Sequence, residues 1–238
     1  MTTINHSGFS LGANVLVKYA GELGDQCPLS AILSVANLWD YAAGAEHLKR
    51  GSLVNRYFWN YALGHSFRSL LRRHSDVFLK AASTGTPDPF NPLFNANAHN
   101  ASFPDRIHSK PLLSLTDIHV VLDKPLITLT DFIDKFIAPL EGYESSEALY
   151  RDASSLHYMK NVKVPCLALN SMDDEITRAT IPYAERSEYI FLATTNRGGH
   201  LGWLDQNYKR WYHRPVFEFV DAIISVAGTS TATYASSA

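Results

Sequence analysis

The sequence predicts an α/β fold built on a mainly parallel sheet, and three observations carry that reading. Short, continuous apolar runs bounded by polar residues read as buried strands: LSAILSVANLWD, VKVPCLALNSMDD and RSEYIFLATTNRGGH. They alternate with segments that read as amphipathic helices, LGANVLVKYAGEL and FEFVDAIISV. Gly8-Phe9-Ser10-Leu11-Gly12 has the G-x-S-x-G spacing of a sharp turn from strand into helix.

Ahead of Ser10, TTINHS is polar where a buried strand should be apolar and β-branched, so the strand leading into the turn is poorly marked. The helix LGANVLVKYAGEL follows and ends at Gly24-Asp25. After the first apolar run, residues 42 to 82 read as a long helical stretch rich in aromatic and basic residues. Residues 83 to 110 are dense in Pro, Asn, Ser and Gly and read as a loop too long for a compact core. Residues 115 to 138 read as helical again. The last residues, from 228 to 238, are low in complexity and are expected to fray.

The chain has 238 residues, enough for one large domain or two small ones, and a formal net charge of −2 that argues for no nucleic-acid partner. Two cysteines, Cys27 and Cys166, make no disulfide framework, so a reducing, cytoplasmic setting is the default. No apolar run is long enough to span a bilayer, and the first residues lack the charged-then-apolar pattern of a signal peptide. The sequons at Asn5 and Asn100 carry little weight without such a signal. In LGHSFRSLLRRHSDVFLK, basic and apolar residues interleave; a solvated helix face is the commoner reading, contact with a lipid surface the rarer. No histidine pair has metal-ligand spacing, so no metal and no cofactor is expected.

The chemistry lies in three places. A serine in a G-x-S-x-G turn stands on strained backbone, and the residues two before and two after it approach each other, so both are expected to be small. The helix behind it turns its N-terminus toward developing negative charge. Alone the pattern is weak, with chance odds of about one in ten in a chain of this size. A serine nucleophile also needs a base, and the base an orienting acid. Asp173-Asp174 close one strand, and His200 follows the next inside Gly198-Gly199-His200-Leu201-Gly202. The order serine, acid, histidine and the strand-end placement fit acyl-transfer chemistry. His65, His74 and His157 lie in helical or surface-like stretches and read as bystanders.

Taken together, GFSLGANVL, YAGE, SAILSVANLWD, DFIDKFIAPLEGY, ALYRDASS, VPCLALNSMDD and GGHLGW resemble AB hydrolase family 4 of the α/β-hydrolase superfamily. The blocks cover most of residues 8 to 205; the loop at 83–110 has no counterpart in the pattern. The resemblance implies an α/β-hydrolase domain with flanking helices and a helical cap at residues 40 to 135. It implies Ser10 as nucleophile, Asp174 as orienting acid with Asp173 as the alternative, His200 as general base and the Leu11 backbone N–H as an oxyanion donor. Glu175 stands where the family has proline. The implied substrate is a small acyl ester or lipid, medium-chain acyl esters above all. Hydrolysis and alcoholysis share one acyl-enzyme, and a lipid droplet or membrane surface is a candidate contact.

Family members carry a long segment before the serine turn, with the first strands and a second oxyanion donor. The sequence is therefore expected to be the C-terminal part of a larger hydrolase, a partial α/β-hydrolase fold. Strands that would be central then become an edge. Loss of an oxyanion donor would cost about a hundredfold in rate. The alternative reading is a catalytically impaired fragment that acts through interaction or self-association at that exposed edge.

Overall fold

The computed structural model describes residues 5–84, 113–184 and 186–235. Contacts divide the chain into two compact units: Met1–Gly44 with Ala153–Ala238, and Ala45–Asp152. Residues 85–110 of the long loop and the sequon at Asn100 lie outside the described residues.

The first unit is built on a parallel sheet of strands β1 (Asn5–Phe9), β2 (Ala31–Val35), β3 (Cys166–Ser171) and β4 (Ile190–Thr195), in the order β1-β2-β3-β4. Every residue of β2 is buried, as its unbroken apolar run predicts for a strand covered on both faces. On one face Ile32 meets Val17, Ala20, Trp39 and Met159; on the other Val35 meets Leu169, Trp203 and Tyr212. Helix α1 (Leu11–Leu23) covers the first face with Ala13, Val17, Ala20 and Gly21, a stripe at helical spacing. Gly21 must lack a side chain, because a Cβ there would come within 2.3 Å of the Tyr158 carbonyl oxygen. Gly24, with φ 51°, ends the helix as expected.

Polar TTINHS conceals a real strand. NHSGF forms β1 and pairs with β2 in the register Ser7↔Leu33 and Phe9↔Val35. It lies at an edge of the four-stranded sheet, with His6 and Ser7 exposed, so the strand does not need the apolar alternation of a central one. At the other end of the unit, helix α8 (His213–Ala235) runs eight residues into the stretch expected to fray from 228.

The second unit, Ala45–Asp152, is helical. Helix α7 (Ser146–Ala153) is tied to it: the Ser146 hydroxyl donates to Asp134 at 3.0 Å, and Tyr143 hydrogen-bonds Asp152. The expected helix over 42–82 is three pieces, α2 (Tyr41–Arg50), α3 (Asn60–Arg73, entered through a wide turn at Asn55–Trp59) and α4 (Ser75–Thr84). Gly51-Ser52 and His74 mark the breaks. The stretch 115–138 breaks at Pro125, which cannot continue α5 (Leu115–Asp123). Thr128 then caps α6 (Leu129–Phe132), its hydroxyl accepting from the Asp131 N–H at 3.0 Å. Leu71, Ile118, Val121, Leu122, Phe132 and Phe136 form the core of this unit.

In LGHSFRSLLRRHSDVFLK one basic residue is buried: Arg68, 5% exposed, donates to the Lys124 carbonyl. Arg72, Arg73, His74 and Lys80 are exposed, as a solvated face requires, and Arg72 also donates to the Leu122 carbonyl at 2.7 Å. Both arginines satisfy carbonyls at the C-terminal end of α5, where cations are favoured.

Candidate active site

Ser10 is the hinge between β1 and α1. Its φ of 52° and ψ of −119° lie where non-glycine residues rarely sit, at a cost of about 1–3 kcal/mol. The turn is held by the Ser10 N–H donating to the Val35 carbonyl at 2.9 Å, while the Ser10 carbonyl accepts from Ala13 and Asn14. The two flanking glycines differ. A Cβ on Gly8 would meet the Gly12 carbonyl oxygen at 2.3 Å and the Ala13 Cα at 2.7 Å, whereas a Cβ on Gly12 would meet nothing within 4 Å. The expectation that both must be small therefore holds for Gly8 alone. Gly12 faces open space, and its N–H and that of Leu11 belong to the first helical turn, whose amides have no intrahelical partner.

His200 reaches this turn from the loop after β4. Its Nε2 lies 2.8 Å from Ser10 Oγ and its Nδ1 lies 2.9 Å from Asp174 Oδ2. With Asp174 ionised, Nδ1 carries the proton and donates to it, which leaves Nε2 free to accept from the Ser10 hydroxyl.

Asp174 is fully buried in the turn after β3. Its Oδ1 accepts from the backbone N–H groups of Ile176 at 2.8 Å and Thr177 at 3.1 Å, and its Oδ2 accepts from the Thr177 hydroxyl as well as from His200. Burial pushes this carboxyl up. The hydrogen bond and charge of His200, with the Thr177 and Ile176 hydrogen bonds, outweigh it and hold Asp174 below the usual carboxylate range. Thr177 was not singled out from sequence; its signal is the spacing of three from an aspartate at a strand end, which lets the hydroxyl close on the carboxylate.

Asp173 points elsewhere. Its Oδ1 accepts from the Gly199 N–H at 2.8 Å and from the Ser171 hydroxyl, not from the imidazole. The histidine loop is closed further by the Trp203 N–H on the Gly198 carbonyl at 2.9 Å and by the Trp203 indole on the Thr195 hydroxyl at 2.7 Å. Gly198 lies flat against that indole, so that a Cβ would stand 2.3 Å from its nitrogen, and Gly199 has φ 54°. A surface cavity of about 440 Å³ borders this loop, lined by Asp173, Arg197, Trp203 and Trp211 among others.

A parallel sheet with flanking helices carries a strained serine after β1, an aspartate after β3 and a histidine after β4, the order and strand-end placement that the α/β-hydrolase fold uses. No family model matches the chain. Curated relatives do. A monoacylglycerol lipase of Saccharomyces cerevisiae is 28% identical over 90% of this chain and 41% of its own length. Medium-chain fatty acid ethyl ester synthase/esterase 2 of the same yeast is 28% identical over 89% of this chain and 44% of its own. Human phospholipase ABHD3 is 25% identical over 92% of this chain and 46% of its own. The chain thus spans less than half the length of these relatives. Among solved structures, a monoacylglycerol lipase of Paleococcus ferrophilus aligns with 93% of this chain and 69% of its own at a TM-score of 0.42 and 14% identity.

Proposed function

We propose that the chain carries the catalytic residues of a serine carboxylic-ester hydrolase acting through an acyl-enzyme on Ser10. The observation that carries this reading is the unbroken hydrogen-bonded chain from the Ser10 hydroxyl through His200 to buried Asp174. Ser10 Oγ attacks the ester carbonyl as its proton passes to His200 Nε2. The carbonyl oxygen becomes an oxyanion, with the Leu11 N–H as one donor toward it. Collapse breaks the bond to the leaving alcohol, which takes the proton from His200, and leaves the acyl group on Ser10. Water, activated by His200, then releases the acid; an alcohol in its place gives a new ester.

The relatives' names support an acyl-ester or lipid substrate, and the ester synthase/esterase among them supports medium-chain acyl groups. The test is covalent labelling of the purified chain with a fluorophosphonate, beside Ser10→Ala, followed by p-nitrophenyl esters of graded length. Labelling confined to the serine-bearing chain, with a rate optimum at medium chain length, is the expected result. A rate that peaks at acetate contradicts the chain-length assignment.

One observation favours a second reading, self-association. In the described sheet β1 is an edge, and Phe9, Leu11, Val15 and Tyr19 on and behind it are 40%, 50%, 58% and 41% exposed. Leu11, Val15 and Tyr19 recur at every fourth residue and so share one face of α1. Light scattering after size exclusion is expected to give a dimer that Val15→Glu converts to a monomer; a monomeric parent contradicts this reading. Among the described residues no helix is long and apolar enough to cross a membrane.

A further inference from the structure

The two adjacent aspartates meet two adjacent residues of the histidine loop. Asp174 takes the His200 imidazole, and Asp173, one residue earlier, takes the Gly199 backbone N–H, one residue earlier on the loop. Both contacts span 26 residues and run from the β3 turn to the β4 loop. Sequence reasoning set these carboxylates as rivals for one role, and their partners show two roles.

We propose that Asp173 is a positioning residue: it fixes the backbone beneath His200, so that the imidazole stays between Asp174 and Ser10. The inference rests on the reading of Ser10, His200 and Asp174 as a catalytic set. Several features give it physical content. Leu201 and Trp203 have positive φ, so two non-glycine residues of this short loop sit in conformations that need outside support, while Gly199 takes its φ of 54° at no steric cost. The C-terminal side of the loop has that support from Trp203, through its N–H on the Gly198 carbonyl and its indole on Thr195. On the side facing β3, the support is Asp173. Its carboxylate is itself held by the Ser171 hydroxyl. Asp173 is exposed and lines the open cavity, so it is not kept for its packing. A side chain with little burial and several directed hydrogen bonds contributes placement, and placement is where a catalytic base is sensitive: a shift of about 1 Å costs on the order of a hundredfold in rate.

The test compares Asp173→Asn, Asp173→Ala and the parent chain in fluorophosphonate labelling rate and in kcat and KM for one p-nitrophenyl ester. Asparagine keeps a carbonyl oxygen where Oδ1 stands and can still accept from Gly199; alanine cannot. Asp173→Ala is expected to lower kcat and labelling rate about 10- to 100-fold with KM within about twofold. Asp173→Asn is expected to restore both to within about fivefold of the parent. Amide exchange at Gly199 reads the clamp without activity and is expected to quicken in the alanine variant alone. A kcat for Asp173→Ala equal to the parent's overturns the proposal, as does an asparagine variant no better than alanine. If the parent itself fails to label at Ser10, the catalytic reading falls and takes the positioning role with it. That outcome differs from the others because every chain, parent included, is silent.

Discussion

Asp174→Asn is expected to lower kcat toward esters by about ten-thousandfold while leaving the chain folded. The reason is directional. Asp174 receives the proton of His200 Nδ1 and so leaves Nε2 as the acceptor facing Ser10. An asparagine can turn its amide N–H toward Nδ1, which then becomes an acceptor. The ring proton moves to Nε2, where it blocks uptake of the serine proton. The same substitution changes the response to acid. A carboxyl whose folded pKa lies below its unfolded value, about 3.9, adds stability that is fully present above that value. The stability is lost as pH falls through the lower folded pKa. Asp174 is such a group. The parent chain should therefore lose thermal stability more steeply than Asp174→Asn as pH falls below about 4. A kcat within tenfold of the parent's, or identical acid profiles, would contradict the role assigned to this carboxylate.

Gly8→Ala is expected to cost about 3 kcal/mol and to lower the melting temperature by about 10 °C, with labelling at Ser10 reduced in parallel. The added methyl has no flexible side chain to push aside: its neighbours are the Gly12 carbonyl and the Ala13 Cα, the backbone of the first turn of α1. Either the helix start moves off the strand or Ser10 leaves its strained geometry, and both displace Oγ from His200. Gly12→Ala is the control. Its methyl enters open space, and alanine is the better helix former by up to about 1 kcal/mol, so this variant should melt at or above the parent temperature. Equal destabilisation by the two substitutions would show that the turn is not built as described. Calorimetry on the two variants decides it.

These contrasts also show what could be read from the chain beforehand. The apolar runs announce β2 and β3 as buried strands, and the third run forms β4, of which only Ile190 is buried rather than the whole strand as expected. Strand β1 was nearly invisible because NHSGF is an edge strand with polar side chains in the open; a hydrophobic pattern marks burial, not hydrogen bonding. The serine, acid and histidine were legible from their order and from where each strand ends. The choice of Asp174 over Asp173 came from the resemblance and not from spacing, because successive residues in one turn differ only in direction, and Thr177 and the Ile176 N–H set that direction. Residues 42–82 kept a helical period across Gly51, so the break there was a matter of local backbone freedom. Arg68 looked like a surface charge because the carbonyl it meets, at Lys124, is 56 residues away in sequence; exposed Arg72 likewise meets the Leu122 carbonyl 50 residues away. Local spacing predicts local contacts, and these are not local.

The central claim is that Ser10, His200 and Asp174, as placed by this chain alone, make an activated serine. Fluorophosphonate labelling of the purified chain beside Ser10→Ala tests it without knowledge of the natural ester. The expected result is time-dependent labelling of the parent, absent in Ser10→Ala and strongly slowed in Asp174→Asn. A cooperatively folded parent chain that takes up no label, or a label that persists in Ser10→Ala, would contradict it.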